Sequence, residues 1–221
     1  MGDAYKGRAD DHRYRGTQAD VTYSLTRCIH AEECVQRLSG VFNRTRRPWI
    51  DANGASPDEI LDVVRRCPSG ALHIDRHDGG QAESIPTENV GVLWADGPIQ
   101  LTGDLHIIAA GVDVEGETRV TLCRCGQSKH KPFCDNSHKD IHFVAEERPR
   151  PDAKPLTERT GRLTVIAEKC GPLQLNGPLE LYGSDGSLQY AGNETWLCRC
   201  GGSGNKPFCD DTHLRNGFAA D

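Results

Sequence analysis

Apolar positions along this chain come mostly in short, imperfectly alternating runs, and one stretch follows a helical period clearly. Ile60, Leu61, Val63 and Val64 fall on one face of a helix behind Ser56-Pro57-Asp58-Glu59, and Arg65-Arg66 closes it. Ser followed three residues later by Glu is a capping box, and Pro at the first helical position lacks only an N–H that would be unpaired anyway. The pattern predicts an amphipathic helix from about Pro57 to Arg66, ending at Cys67-Pro68-Ser69-Gly70. Ala71 to Ile74 then reads as a strand, Val21 to Leu25 as another, and Ala31 to Leu38 as a second helix. Together they predict a small α/β unit over residues 21–76. Charges throughout residues 1–20 predict a disordered N-terminus, and Arg76 to Glu88 reads as a connecting loop.

Further on, Leu105 to Ala109, Leu163 to Ala167 and Leu179 to Tyr182 are short, broken by Gly and Asp, and read as strands of a small sheet. The segment carries an internal repeat. LCRCGQSKHKPFCDNSHKDIHF at Leu122 to Phe143 returns as LCRCGGSGNKPFCDDTHLRNGF at Leu197 to Phe218, with thirteen of 22 positions identical. Upstream, Gly97-Pro98-Ile99-Gln100-Leu101-Thr102-Gly103 is echoed by Gly171-Pro172-Leu173-Gln174-Leu175-Asn176-Gly177. Each repeat is therefore a strand-rich lead followed by a cysteine-rich loop. Arg148 to Pro155 is charged and proline-rich and cannot be helical. The expected fold class is α+β: the N-terminal unit, a first module over 90–147, a linker over 148–158, and a second module over 159–221. The two modules should fold back on each other with approximate twofold symmetry.

Composition explains why such units need staples. Hydrophobic residues make up 36% of the 221, aromatics 6%, and there are 24 Gly and 12 Pro, so no thick core is available. Ten cysteines supply either disulfides or metal ligands. The first twenty residues have no apolar core of a signal peptide, and no apolar run approaches the roughly 20 residues that cross a bilayer. A soluble, cytoplasmic protein without a membrane partner is expected, and in a reducing compartment its cysteines read as ligands. A net charge of −6 offers no basic field for nucleic acid.

The repeated loop reads C-x-C-x2-S-x3-P-x-C-D-x-[ST]-H. Cys123, Cys125, Ser128, Pro132, Cys134, Asp135 and His138 fill it first, and Cys198, Cys200, Ser203, Pro207, Cys209, Asp210 and His213 fill it again. Three thiolates and an imidazole within sixteen residues narrow the candidates to zinc and an iron-sulfur cluster. Structural zinc commonly uses C-x2-C where this loop has C-x-C, and an odd number of cysteines per loop opposes disulfides.

Both loops resemble the signature of the CDGSH iron-sulfur family, of the bacterial tandem-repeat type, through Cys134 to His138 and Cys209 to His213. The resemblance spans roughly Gly97 to the C-terminus. It implies two [2Fe-2S] clusters, with metal ligands Cys123, Cys125, Cys134 and His138 in one loop and Cys198, Cys200, Cys209 and His213 in the other. Each C-x-C pair would hold one iron, and the last cysteine with the histidine the other. Asn136 and Asp211 stand where the family has glycine, and both residue types tolerate left-handed backbone. A neutral imidazole in place of a thiolate raises the reduction potential, and its second nitrogen can take a proton. Asp135 and Asp210 are expected to cap the helix at each histidine. Lys131 and Lys206 either offset cluster charge or are solvated.

The implied function is electron transfer, cluster transfer or redox and pH sensing, by a monomer whose repeats pair as an intramolecular pseudo-dimer. Its partner would be a redox or apo-acceptor protein. No phosphate loop, nucleophile elbow or dinucleotide fingerprint supports an enzyme. The alternative is a structural zinc-binding interaction module. The N-terminal unit is similar to single-cluster ferredoxin-like domains through Cys28-Ile29-His30-Ala31-Glu32-Glu33-Cys34, Arg47-Pro48-Trp49-Ile50-Asp51 and Cys67-Pro68. Ferredoxin loops run C-x2-C-x2-C with a distant C-P, but Ala31 occupies the second cysteine position. Cys28, Cys34 and Cys67 then either hold a third, three-iron cluster or belong to a unit kept for packing. Cys170 fits no motif and reads as an idle thiol.

Overall fold

A computed structural model describes residues 11–145 and 152–220. The chain forms two compact units, one up to Ser84 and one from Ile85 onward. Helices and strands are mixed, as the α+β expectation required.

In the first unit β1 (His12–Tyr14), β2 (Ala19–Tyr23) and β3 (Leu72–Arg76) form an antiparallel sheet in that order. Residues 1–10 lie outside the described residues, but β1 and the start of β2 correct the expectation of disorder over 11–20. The charges there are paired: Arg13 contacts Asp20 at 3.0 Å and Asp75 at 2.7 Å. An edge strand tolerates such side chains because its outer row faces solvent.

Helix α2 (Pro57–Arg65) carries the expected capping box, with Glu59 N–H donating to Ser56 Oγ and Ser56 N–H donating to Glu59 Oε2. Its Ile60, Leu61, Val63 and Val64 join Val21, Phe42, Ile50, Leu72 and Ile74 in the core. The other helix, α1 (Glu33–Arg37), is shorter than expected. Left-handed backbone at His30 (φ 53°) and Glu32 (φ 64°) delays its start, since an α-helix admits no left-handed residue.

The second unit holds one six-stranded sheet. Each repeat contributes a short strand and a long hairpin: β4 (Val90–Leu93) with β5 (Ile99–Ala109) and β6 (Val112–Leu122), then β7 (Leu163–Ala167) with β8 (Leu173–Tyr182) and β9 (Leu188–Leu197). Of the short strands read from sequence, Leu163 to Ala167 is β7 itself, while Leu105 to Ala109 and Leu179 to Tyr182 are the second halves of β5 and β8, after register shifts at Gly103 and Gly177 that interrupt the alternation. A helix α3 (Ser137–Asp140) follows β6, and a 3-10 turn (Thr212–Leu214) follows β9. Arg148 to Pro151 of the expected linker lie outside the described residues.

The repeats exchange their first strands. β4 pairs antiparallel with its own β5 and parallel with β8 at Val90↔Glu180 to Val92↔Tyr182. β7 pairs antiparallel with its own β8 and parallel with β5 at Leu105↔Leu163 to Ile108↔Ile166. Apolar side chains of both repeats, among them Leu101, Leu105, Ile107, Leu175, Leu179 and Leu181, fill a shared core.

Buried Asn89 ties the exchange together. Its Oδ1 accepts Asp104 N–H at 3.0 Å, and its Nδ2 donates to the carbonyls of Gly161 and Pro178, both at 2.8 Å. Asn89→Ala orphans three backbone groups, at about 1–3 kcal/mol for a buried unpaired group. The expected loss is roughly 3 kcal/mol, read as a lower denaturant midpoint. An unchanged midpoint would show that these groups find other partners.

Candidate functional site

Each cysteine loop is folded by bonds that the repeated residues supply. Cys123 N–H donates to Pro132 O at 2.9 Å and Cys134 N–H to Thr121 O at 3.0 Å, so the loop closes as a hairpin bringing the third cysteine to the first. Cys198 with Pro207 and Cys209 with Trp196 repeat this at 2.8 and 2.9 Å. Buried Ser128 donates its hydroxyl to Phe133 O and accepts His130 N–H, and Ser203 does the same with Phe208 O and Asn205 N–H. These serines staple the turn, which explains their place in the motif.

The ligand atoms fall into pairs. Cys123 and Cys125 sulfurs are 3.7 Å apart and those of Cys198 and Cys200 3.8 Å. Cys134 Sγ lies 3.6 Å from His138 Nδ1, and Cys209 Sγ 3.4 Å from His213 Nδ1. Two thiolates about 2.3 Å from one tetrahedral metal stand roughly 3.8 Å apart, and a thiolate with an imidazole nitrogen at about 2.0 Å stands roughly 3.5 Å from it. Every pair thus has the bite of a single metal ion, and the donor set fits a thiolate-rich metal group. Among the described residues, the group of three donors lying within 4.8 Å of one another is Cys209, Asp211 and His213. In neither loop does the C-x-C pair join the cysteine-histidine pair in such a group.

Within each C-x-C pair the two sulfurs are hydrogen-bond partners. Accepting its neighbour's thiol hydrogen lowers Cys123 and raises Cys125, while in the second loop Cys200 falls and Cys198 rises. Burial pushes Cys134 up to about 11 and lowers His138, favouring neutral imidazole. Metal binding must therefore displace protons. Backbone N–H groups of Asn136, Gly202 and Asp211 point at Cys134, Cys200 and Cys209 sulfurs at 3.4 to 3.5 Å and stabilise their anionic forms.

Asn136 (φ 72°) and Asp211 (φ 63°) do adopt left-handed backbone. Asp135 and Asp210 accept the N–H groups of Ser137 and Thr212 at the helix starts. Their second oxygens accept Lys129 and Gly204 N–H, both at 2.8 Å, which pins the two ends of each loop together. Lys131 and Lys206 are fixed, donating to Ser128 and Ser203 carbonyls at 2.6 and 2.7 Å. Each also lies 5.9 Å from a phenylalanine of the other repeat, Lys131 over Phe218 and Lys206 over Phe143.

Sequence reasoning passed over the residue inside each C-x-C. Arg124 and Arg199 are 2% and 1% exposed, and their guanidinium groups donate to the carbonyls of Gly97 and Trp94, and of Gly171 and Glu168. Arg199 interacts electrostatically with Cys123 of the other loop, and a buried cation there offsets thiolate charge. Its identity in both repeats was the available signal. The loops also touch, through a bridge between Cys125 and Cys200.

In the first unit, Cys28, Cys34 and Cys67 line one cavity of about 120 Å³ with Tyr23, His30 and Trp49. Buried Arg27 holds the two cysteine loops together, donating from Nε and Nη2 to Ser69 O at 3.2 and 3.0 Å. Burial raises Cys34 to about 11.

Family comparisons agree with this chemistry. A model described as iron-binding zinc finger, CDGSH type, matches residues 96–139 and 170–214, and one described as a divergent 4Fe-4S mono-cluster matches residues 14–77. The curated relatives found include "Uncharacterized protein YjdI" of Escherichia coli strains K12 and O157:H7. Each is 36% identical over 59 residues, 27% of this chain and 78% of the relative. No solved structure matches. The class is thereby defined as an iron-sulfur protein. The chain belongs to the CDGSH iron-sulfur family, with two CDGSH repeats behind a divergent single-cluster domain.

Proposed function

We propose that each CDGSH loop holds a [2Fe-2S] cluster through three cysteines and one histidine, and that the chain is an electron carrier rather than an enzyme. The observation behind this is the pairing of donors: two bites of metal-ion size per loop suit two irons, whereas one zinc would draw all four donors within about 3.8 Å of one another. When bound, such a cluster supplies one-electron chemistry. The chain's residues set its terms. A neutral histidine leaves the site less negative than four thiolates, and Arg124, Arg199 and the N–H groups at sulfur raise the potential further.

The reciprocal strands support an intramolecular pseudo-dimer and a monomeric protein, because each repeat receives from the other the strand that a second copy would otherwise supply. Exposure differs between the loops. Cys123, Cys125 and Cys134 are buried, while Cys200 and Cys209 are partly exposed, so the second loop is the side for a redox or apo-acceptor protein. Among the described residues no helix is long and apolar enough to cross a membrane.

The test is metal and sulfide analysis of a Cys28→Ala, Cys34→Ala, Cys67→Ala variant, which isolates the repeats. About four irons, about four labile sulfides and reversible one-electron bleaching per loop are expected. Colourless protein carrying zinc would overturn the proposal.

A further inference from the structure

We infer that His30 is the fourth ligand of the N-terminal iron-sulfur site, completing Cys28, Cys34 and Cys67 into a set for a four-iron cluster. This rests on the reading that the first unit binds a cluster. Three cysteines leave one iron of such a cluster without a protein ligand, and Ala31 at the expected fourth position offers only a methyl group.

His30 supplies the missing donor from the neighbouring position. Its ring lines the cavity shared by the three cysteines, and Nδ1 lies 3.9 Å from Cys28 Sγ. An imidazole nitrogen is two or three bonds beyond Cβ, against one for a thiol sulfur, so histidine reaches a metal from farther back along the chain. The left-handed backbone at His30 (φ 53°) turns the chain here, ahead of α1.

The other polar side chains in the cavity wall are engaged. Glu32 pairs with Arg44, and Glu33 with Arg37. Ser69 Oγ contacts Cys67 Sγ at 3.6 Å, and Tyr23 hydrogen-bonds Cys28. His30 is exposed, so a cluster held there would be approached by an electron-transfer partner on this side. All three centres of the chain then carry three thiolates and one neutral imidazole. Replacing one thiolate by imidazole raises the potential of the N-terminal cluster above that of an all-cysteine one, toward the range of the CDGSH clusters.

The full chain, purified anaerobically, provides the test alongside His30→Ala and His30→Cys. Iron is counted per chain, and the oxidised protein is examined by EPR, where [2Fe-2S] and four-iron clusters are silent and a three-iron cluster gives a signal. Wild type is expected to hold about eight irons and stay silent. His30→Ala should lose about one iron and gain the three-iron signal, while His30→Cys should keep about eight, stay silent and titrate at a lower potential. Wild type with about seven irons and the three-iron signal, or a His30→Ala protein unchanged in iron and EPR, overturns the inference. Wild type with only about four irons overturns the reading beneath it as well, and the two failures are thereby distinguished.

Discussion

Changing Gly126 to valine is expected to empty both cysteine loops, although it removes no ligand. Gly126 has φ 79°, and a Cβ there would stand 2.5 Å from the carbonyl oxygen of Cys200 and 2.9 Å from its carbon. Gly201 mirrors it, with φ 77° and a Cβ position 2.5 Å from Cys125 O. The contact is backbone on backbone, so no side chain can swing away to relieve it. Left-handed backbone alone costs a non-glycine residue about 1–2 kcal/mol, and β-branching makes it worse.

Relief requires the Cys125–Cys200 bridge to open, which moves one candidate ligand of each loop. Iron per chain should fall in both repeats, with a lower melting temperature. Gly186→Ala is the control: its φ is 80°, but nothing lies within 4 Å of its Cβ position. That variant should lose only about 1–2 kcal/mol and keep its iron. Full iron in Gly126→Val would show that the two loops separate without cost.

The double variant His138→Cys, His213→Cys is expected to lower the potential of both clusters by on the order of 100 mV or more. An anionic thiolate replaces a neutral imidazole, and Rieske centres with two histidines sit several hundred millivolts above all-cysteine ferredoxins. The shift should be larger in the first loop, where burial of His138 and Cys134 keeps water from screening the added charge, than in the second, where Cys209 and His213 are partly exposed. Spectroelectrochemical titration of loaded wild type and variant reads the shift. A loaded variant with an unchanged potential would remove His138 and His213 from the ligand set.

Much of the candidate site was legible in the chain because its determinants are local. The internal repeat marked Cys123, Cys125, Cys134, His138 and their counterparts, and the structure places them in the two bite-sized pairs. Asn136 and Asp211 were readable as left-handed positions because they stand where the resemblance places glycine, and the Ser56 to Glu59 capping box located α2 to within one residue of its observed end. In each case the interacting atoms lie within a few residues of one another, so spacing carries the geometry.

What sequence could not decide was which distant segments meet. β7 read as an ordinary short strand and β4 was not read as a strand, and nothing in either says that its second partner lies in the other repeat. Register there is set by burying Leu105, Leu163, Leu179 and Leu181 in one core and by Asn89 joining backbone from both repeats. Arg124 and Arg199 drew no reading, and Lys131 and Lys206 were left between offsetting cluster charge and solvation, because their partners are carbonyls and rings brought close by the fold. The chain by itself therefore determined the candidate ligands and the turns that present them. The tertiary structure alone decided their neighbours, since contacts between residues far apart in sequence depend on the packing of the whole sheet.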